Sequence, residues 1–122
     1  KKLKSEGMHV FHMDYNKIPF PDDSFDNIIL DNVLEHIEDP RELLSEINRV
    51  LKLGGNFIIG VPCEKGFSYD DDHKRFYEIN DLKKLLSENY ILLNYFYTPP
   101  FLFFFRKVFR QVALYSIFKK LK

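Results

Sequence analysis

Short apolar runs alternate with stretches of helical spacing along this chain, and the changes of pattern mark its elements. Met8 to Met13 is a mostly apolar run ending at Asp14, which predicts a strand. Ile18-Pro19-Phe20-Pro21-Asp22-Asp23-Ser24 reads as a loop, because two prolines and a polar cluster break any periodicity. Phe25 to Leu30 holds Ile28-Ile29-Leu30 between polar residues and suits a strand buried on both faces. The clearest helix follows, with Asp39 as N-cap, Pro40 at the first helical position and Glu42 at capping-box-like spacing. Leu43, Leu44, Ile47, Val50 and Leu51 form its apolar face, and Gly54-Gly55 is the expected stop.

Phe57 to Val61 predicts a second buried strand, closed by Pro62. Glu64 to Tyr77 is polar and reads as a loop. Asn80 is a candidate cap for a further helix whose Leu82, Leu85 and Leu86 face inward. Tyr90 to Tyr97 is rich in strand formers and ends at Thr98-Pro99-Pro100. From Phe101 onward the chain is apolar and basic, with Phe101, Phe104, Phe105, Val108, Val112 and Tyr115 at helical spacing. The pattern divides the chain into an α/β portion, 1–97, and a basic apolar helical segment, 98–122. Strand, helix, strand, helix, strand implies a mostly parallel sheet flanked by helices. Ligands then sit beyond the carboxyl ends of the strands, where Asp14, Asp31 to His36 and the residues after Pro62 fall.

Composition adds bounds. Hydrophobic residues make up 45% and charged residues 30%, which is globular composition. Formal net charge is zero, so a dedicated nucleic-acid binder is not expected. The balance is uneven: twelve basic and eighteen acidic residues lie up to Glu88, and six basic residues with no acidic one lie beyond it. Cys63 is the single cysteine, which excludes an intrachain disulfide and fits a reducing cytoplasm. The N-terminus has no apolar signal core and no initiating Met, so the chain is expected to start partway through a longer protein.

Four segments in order resemble class I S-adenosylmethionine (SAM)-dependent methyltransferases of the small-molecule type. They are Asp14 with Ile18-Pro19-Phe20-Pro21-Asp22-Asp23-Ser24-Phe25-Asp26, then Asp31 through Pro40 with its Leu34-Glu35-His36. Arg49-Val50-Leu51-Lys52-Leu53-Gly54-Gly55 comes next, with Leu53 where proline is usual, and then His73 and Phe76 before Leu82-Lys83-Lys84-Leu85-Leu86. The resemblance covers roughly residues 8 to 95 and implies a partial Rossmann-like sheet whose first strands are missing. In the family a glycine-rich turn cradles the methionine part of SAM and an acidic residue binds its ribose. Both belong before residue 8, and neither is present. Family strand order then leaves Met8 to Met13 without a neighbour and Phe25 to Leu30 with one open edge. An open edge invites pairing with another chain, so a homo-oligomer is one expectation.

The resemblance also implies roles. Asp14 would accept a hydrogen bond from the adenine amino group, and Tyr15 would offer its backbone N–H to the ring. Asp31 and Asn32 would line the methionine end. Each also reads as an ordinary strand-end or turn residue. Glu35, His36 and His73 are candidates for contact with substrate, and His36 and His73 for proton transfer, against a structural histidine and a solvated loop. Some members hold a divalent metal with Glu-x-x-Glu-His. Here Asn32 takes the first position and is a poorer ligand, so no metal is expected. Asp70-Asp71-Asp72 lacks the EF-hand spacing.

The expected function is SAM-dependent methyl transfer to a small-molecule or sugar- or lipid-type metabolite, weak or inactive in this chain alone. The alternative is a non-catalytic remnant acting as an interaction or structural module. A nucleotide-binding dehydrogenase shares only the generic architecture. For 101–122 two readings stand: a basic amphipathic helix on an anionic membrane, or a helix packed on the sheet over the substrate.

Overall fold

The computed structural model describes residues 7–105, 108, 109 and 112–122, without the side chains of 102 and 103. Its centre is a four-stranded sheet of β1 (Phe25–Asp31), β2 (Leu51–Pro62), β3 (Tyr90–Thr98) and β4 (Ala113–Lys120), in the order β1-β2-β4-β3. β1 and β2 are parallel, and β4 runs antiparallel to both its neighbours. Helices α1 (Arg41–Val50), α2 (Glu64–Tyr69) and α3 (Ile79–Leu86) and 3-10 turns at Leu34–His36 and Pro100–Phe105 complete it.

One core holds the molecule together. Leu43, Ile47 and Val50 of α1 and Leu82 and Leu86 of α3 pack on Phe57, Ile59 and Val61 of β2 and Leu114 and Phe118 of β4. Burying each large apolar side chain contributes about 1.5–3 kcal/mol. Asp39 serves the start of α1, but one residue further out than a cap: Pro40 is the N-cap, and Asp39 accepts the Arg41 N–H at 3.2 Å. Arg49 ties α1 to the loop before β1. Its guanidinium pairs with Glu46 at 2.8 Å and with Asp22 at 2.9 Å, and it donates to the carbonyls of Ile18 and Phe20. Glu46 accepts the Ile18 N–H at 2.9 Å.

Several expectations are corrected. Met8 to Met13 is not a strand; among the described residues no sheet neighbour pairs with it, and an isolated bridge, Asp14 to Lys17, follows. β1 is an edge strand, and Ile29 is 65% exposed instead of buried. α1 ends at Val50, not at Gly54-Gly55, because buried Leu51 already starts β2. The two glycines instead shape an irregular start to β2, where the five steps from Leu51 to Asn56 face the two from Phe25 to Asn27. Gly54 turns at φ 76, and a Cβ on Gly55 would lie 2.8 Å from the carbonyl of Asp26. Within the expected 64–77 loop, Glu64–Tyr69 is helical. α3 is capped by Glu78, whose N–H donates to Asp81 Oδ2 at 2.9 Å, and not by Asn80.

The largest correction concerns 98–122. This segment is not a helix appended to the domain. Pro100–Phe105 is a 3-10 turn, and Ala113–Lys120 is a strand inserted between β2 and β3. Residues 106, 107, 110 and 111, part of the expected helix, lie outside the described residues. Leu114, Ser116, Phe118 and Lys120 are all buried, so a strand period of two underlies the segment. Buried Lys120 donates to the carbonyls of Asn48 and Leu51, both at 2.7 Å, and so satisfies acceptors at the end of α1.

Candidate functional site

β1 and β2 reach the same rim, where Asp31 faces Gly60 and Pro62 faces Ala113. Asn32 donates its N–H to the Gly60 carbonyl at 3.0 Å, then turns the chain at φ 52. The 3-10 turn follows, and its Leu34 plugs into the core and is fully buried. That anchor carries Glu35 inward, to 1% exposure. The Glu35 carbonyl accepts the N–H groups of Lys74 at 2.7 Å and Arg75 at 3.1 Å, docking the loop after α2 on the turn.

This docking brings His73 to Glu35 and His36. Both histidines present Nε2 to Glu35 Oε1, His36 at 3.8 Å and His73 at 3.9 Å. The two rings lie 4.6 Å apart, edge to face. His73 Nδ1 meets the Phe67 carbonyl at 2.8 Å while its ring stacks on Phe67. His36 Nδ1 faces Asp72 Oδ2 at 3.3 Å, without hydrogen-bond geometry. Asp70 Oδ2 stands 3.7 Å from His73 Nε2.

Neither oxygen of Glu35 accepts a hydrogen bond among the described residues. Burial is the main force pushing its pKa up. Its own backbone N–H and the two histidines oppose the shift, and Asp31 adds to it. Tyr77, 3% exposed and also without a hydrogen-bond partner for its hydroxyl, is pushed up by burial and feels the Glu35 charge.

The residues singled out in the sequence therefore divide. Glu35, His36 and His73 meet in one cluster, with Asp31 close enough to act on Glu35. Asn32 turns aside and donates to Asp31 Oδ1 at 3.3 Å. Asp14 is exposed in its bridge with Lys17, and exposed Tyr15 lines a depression with Asp39, Arg41, Glu42 and Ser45. Among the described residues, no hydrogen bond, ion pair or ring contact joins Asp14 or Tyr15 to the cluster. Sequence reasoning missed Tyr115, whose hydroxyl donates to Asp31 Oδ1 at 2.9 Å, because its segment was read as helix. It also missed Asp70 and Asp72 as the histidines' companions, since only the fold brings 70–73 to 35–36.

No helix among the described residues is long and apolar enough to cross a membrane. Residues 1–59 match the family model described as "Methyltransferase domain". An uncharacterized protein of Methanocaldococcus jannaschii is 38% identical over 67 residues, which are 55% of this chain and 33% of that one. A demethylmenaquinone methyltransferase of Clavibacter sepedonicus is 44% identical over 53 residues, 43% of this chain and 20% of that one. The chain thus spans a third or less of these relatives. A solved SAM-dependent methyltransferase of Aquifex aeolicus superposes with a TM-score of 0.71 at 16% identity, over 98% of this chain and 60% of that one.

SAM is the cofactor this family implies, and the glycines of the described residues do not form the glycine-rich turn that cradles it in the family. Gly54-Gly55 sits at the far end of β2 from the rim. The Cβ space at Gly60 is taken by Asp31 and Tyr115. Gly7 precedes the Asp14 bridge, and Gly66 is inside α2. None makes a strand-end turn able to cradle the cofactor. The family motifs and the sheet agree nonetheless: residues 1–59 resemble a methyltransferase domain, and the chain has the fold of solved class I SAM-dependent methyltransferases.

Proposed function

We propose that this chain forms the acceptor side of a methyltransferase that modifies a small-molecule or sugar- or lipid-type metabolite, and that alone it binds SAM weakly. The observation that carries this is the pairing of a polar rim cluster with an open neighbouring edge. Glu35, His36 and His73 converge beyond the carboxyl end of β1, while the outer edge of β1 has no strand beside it among the described residues. Below that edge lies an apolar groove lined by Met13, Phe20, Ile28, Leu43 and Ile47. A strand carrying a cofactor-binding turn would fill it.

In this reading SAM supplies an activated methyl group, and the protein's task is to place the acceptor. His36 and His73 engage the acceptor's polar group, Glu35 fixes them, and Asp31 and Asn32 border the methyl-donor side. Asp14 and Tyr15 are the groups for the adenine end. A lipid-linked acceptor is favoured by the turn at Pro100–Phe105, where Phe101 is 74% and Phe104 88% exposed. The demethylmenaquinone enzyme's name is consistent with such an acceptor. The same open edge favours the second reading, a module that pairs with another chain or a second copy.

Isothermal titration of the chain with SAM tests the proposal. Binding too weak to saturate is expected, and micromolar affinity would overturn it. Size-exclusion chromatography with light scattering addresses the second reading, for which a stable dimer is the expected result.

A further inference from the structure

We propose that Glu35, His36 and His73 form a site for one divalent first-row transition-metal ion. The site lies on the rim assigned above to the acceptor, but the inference does not depend on methyl transfer.

The argument starts from His73. A carbonyl only accepts hydrogen bonds, so the 2.8 Å contact with Phe67 places a proton on His73 Nδ1. In a neutral imidazole, Nε2 then carries a lone pair, and it faces Glu35 Oε1 at 3.9 Å and Asp70 Oδ2 at 3.7 Å. At His36, Nδ1 lies 3.3 Å from Asp72 Oδ2, whose negative charge favours a proton on that nitrogen, and Nε2 lies 3.8 Å from Glu35 Oε1. One potential ligand atom from each of the three residues therefore lies within 4.8 Å of the other two. Acceptors facing acceptors repel, and a buried carboxylate with no donor is costly. A cation among them removes both problems.

The chemistry and spacing select its kind. Two imidazoles and one carboxylate are the donor set of zinc and related first-row metals, not of calcium or magnesium. Metal–ligand bonds of about 2.0–2.1 Å put tetrahedral donors about 3.4 Å apart, so the two Glu35 contacts shorten by about half an ångström and no pair by more than about 1.4 Å when the site closes. The Phe67 carbonyl holds the far nitrogen of His73, as outer partners of metal-bound histidines do, and Asp72 Oδ2 stands 3.3 Å from the far nitrogen of His36. His36 is 32% exposed, which leaves a side open for Asp70, water or an acceptor oxygen. The linear spacing predicts no metal, because it offers Asn32 as a ligand. The fold turns Asn32 toward Asp31 and supplies His73 instead.

The test is a titration of the full chain with Co2+, followed by visible absorption, with Zn2+ as competitor. One equivalent of Co2+ should give a saturable d–d band that Zn2+ abolishes. His36→Gln and Glu35→Gln should each weaken binding about 10-fold or more. Asp72→Asn, on an exposed side chain, should weaken it about 10-fold with no change in melting temperature. Folded wild-type protein without the band overturns the proposal, and so does a band unchanged in His36→Gln and Asp72→Asn.

Discussion

Tyr115 reaches across β2 to donate its hydroxyl to Asp31 Oδ1 at 2.9 Å, and it does so over Gly60. Asp31, Gly60 and Tyr115 are aligned across three strands, and a Cβ on Gly60 would collide with Asp31 Oδ1 and lie 2.5 Å from Tyr115 Cε1. The glycine is required here for close approach, not for its backbone angle. Gly60→Ala should displace the ring and cost about 1–3 kcal/mol, as overpacking does. Urea denaturation measures this, and an unchanged midpoint would show that the row can yield freely.

A second prediction separates the two halves of the 98–122 segment. Phe118 is 1% exposed on β4, so Phe118→Ala should destabilise by about 3–5 kcal/mol. Phe104→Ser, at an 88% exposed position, should change stability by no more than about 0.5 kcal/mol. Equal effects in thermal melts would contradict the strand assignment.

Acid sensitivity should come in part from the clamp between α1 and the loop before β1. The Arg49 guanidinium and the Ile18 N–H beside Glu46 hold its pKa at about 2, below the ordinary 4.5. A depressed folded-state pKa contributes stability that is fully present above the unfolded value and lost as pH falls through the folded one. The melting temperature should therefore drop between about pH 4.5 and about pH 2, and Glu46→Gln should flatten that part of the profile while lowering the plateau. A parallel profile in the variant would assign the acid transition to other carboxylates.

If the aromatic turn faces lipid, the chain should pellet with anionic vesicles and less with neutral ones, and Phe101→Ser with Phe104→Ser should release it. Among the described residues of 101–122 the turn carries the most exposed aromatic side chains, whereas β4 is committed to the sheet. Equal pelleting of wild type and double variant removes the membrane from the picture.

Elements with local signals were legible. α1 carries its apolar stripe in plain order, and Phe57, Ile59 and Val61 alternate as a strand should. Glu35, His36 and His73 were visible as candidates from the family motifs. Their meeting was not, because it depends on the Lys74 and Arg75 amides finding the Glu35 carbonyl. The segment at 113–120 misled because Phe101 to Tyr115 mimics helical spacing. The buried set Leu114, Ser116, Phe118, Lys120 includes a serine and a lysine, which hides a period of two. Lys120 looks like a solvent-facing charge until the carbonyls of Asn48 and Leu51 are placed beside it.

The position of β4 has a consequence for assembly. Among the described strands β3 pairs with β4 alone, and β4 follows it in the chain. The hairpin of β3 and β4 must therefore form as a unit, or β3 must wait, unladdered, for its successor to slide in along β2. Residues such as Tyr95 and Phe96 stay unprotected through that interval. Amide exchange during refolding should show β1 and β2 acquiring protection first, with β3 never ahead of β4.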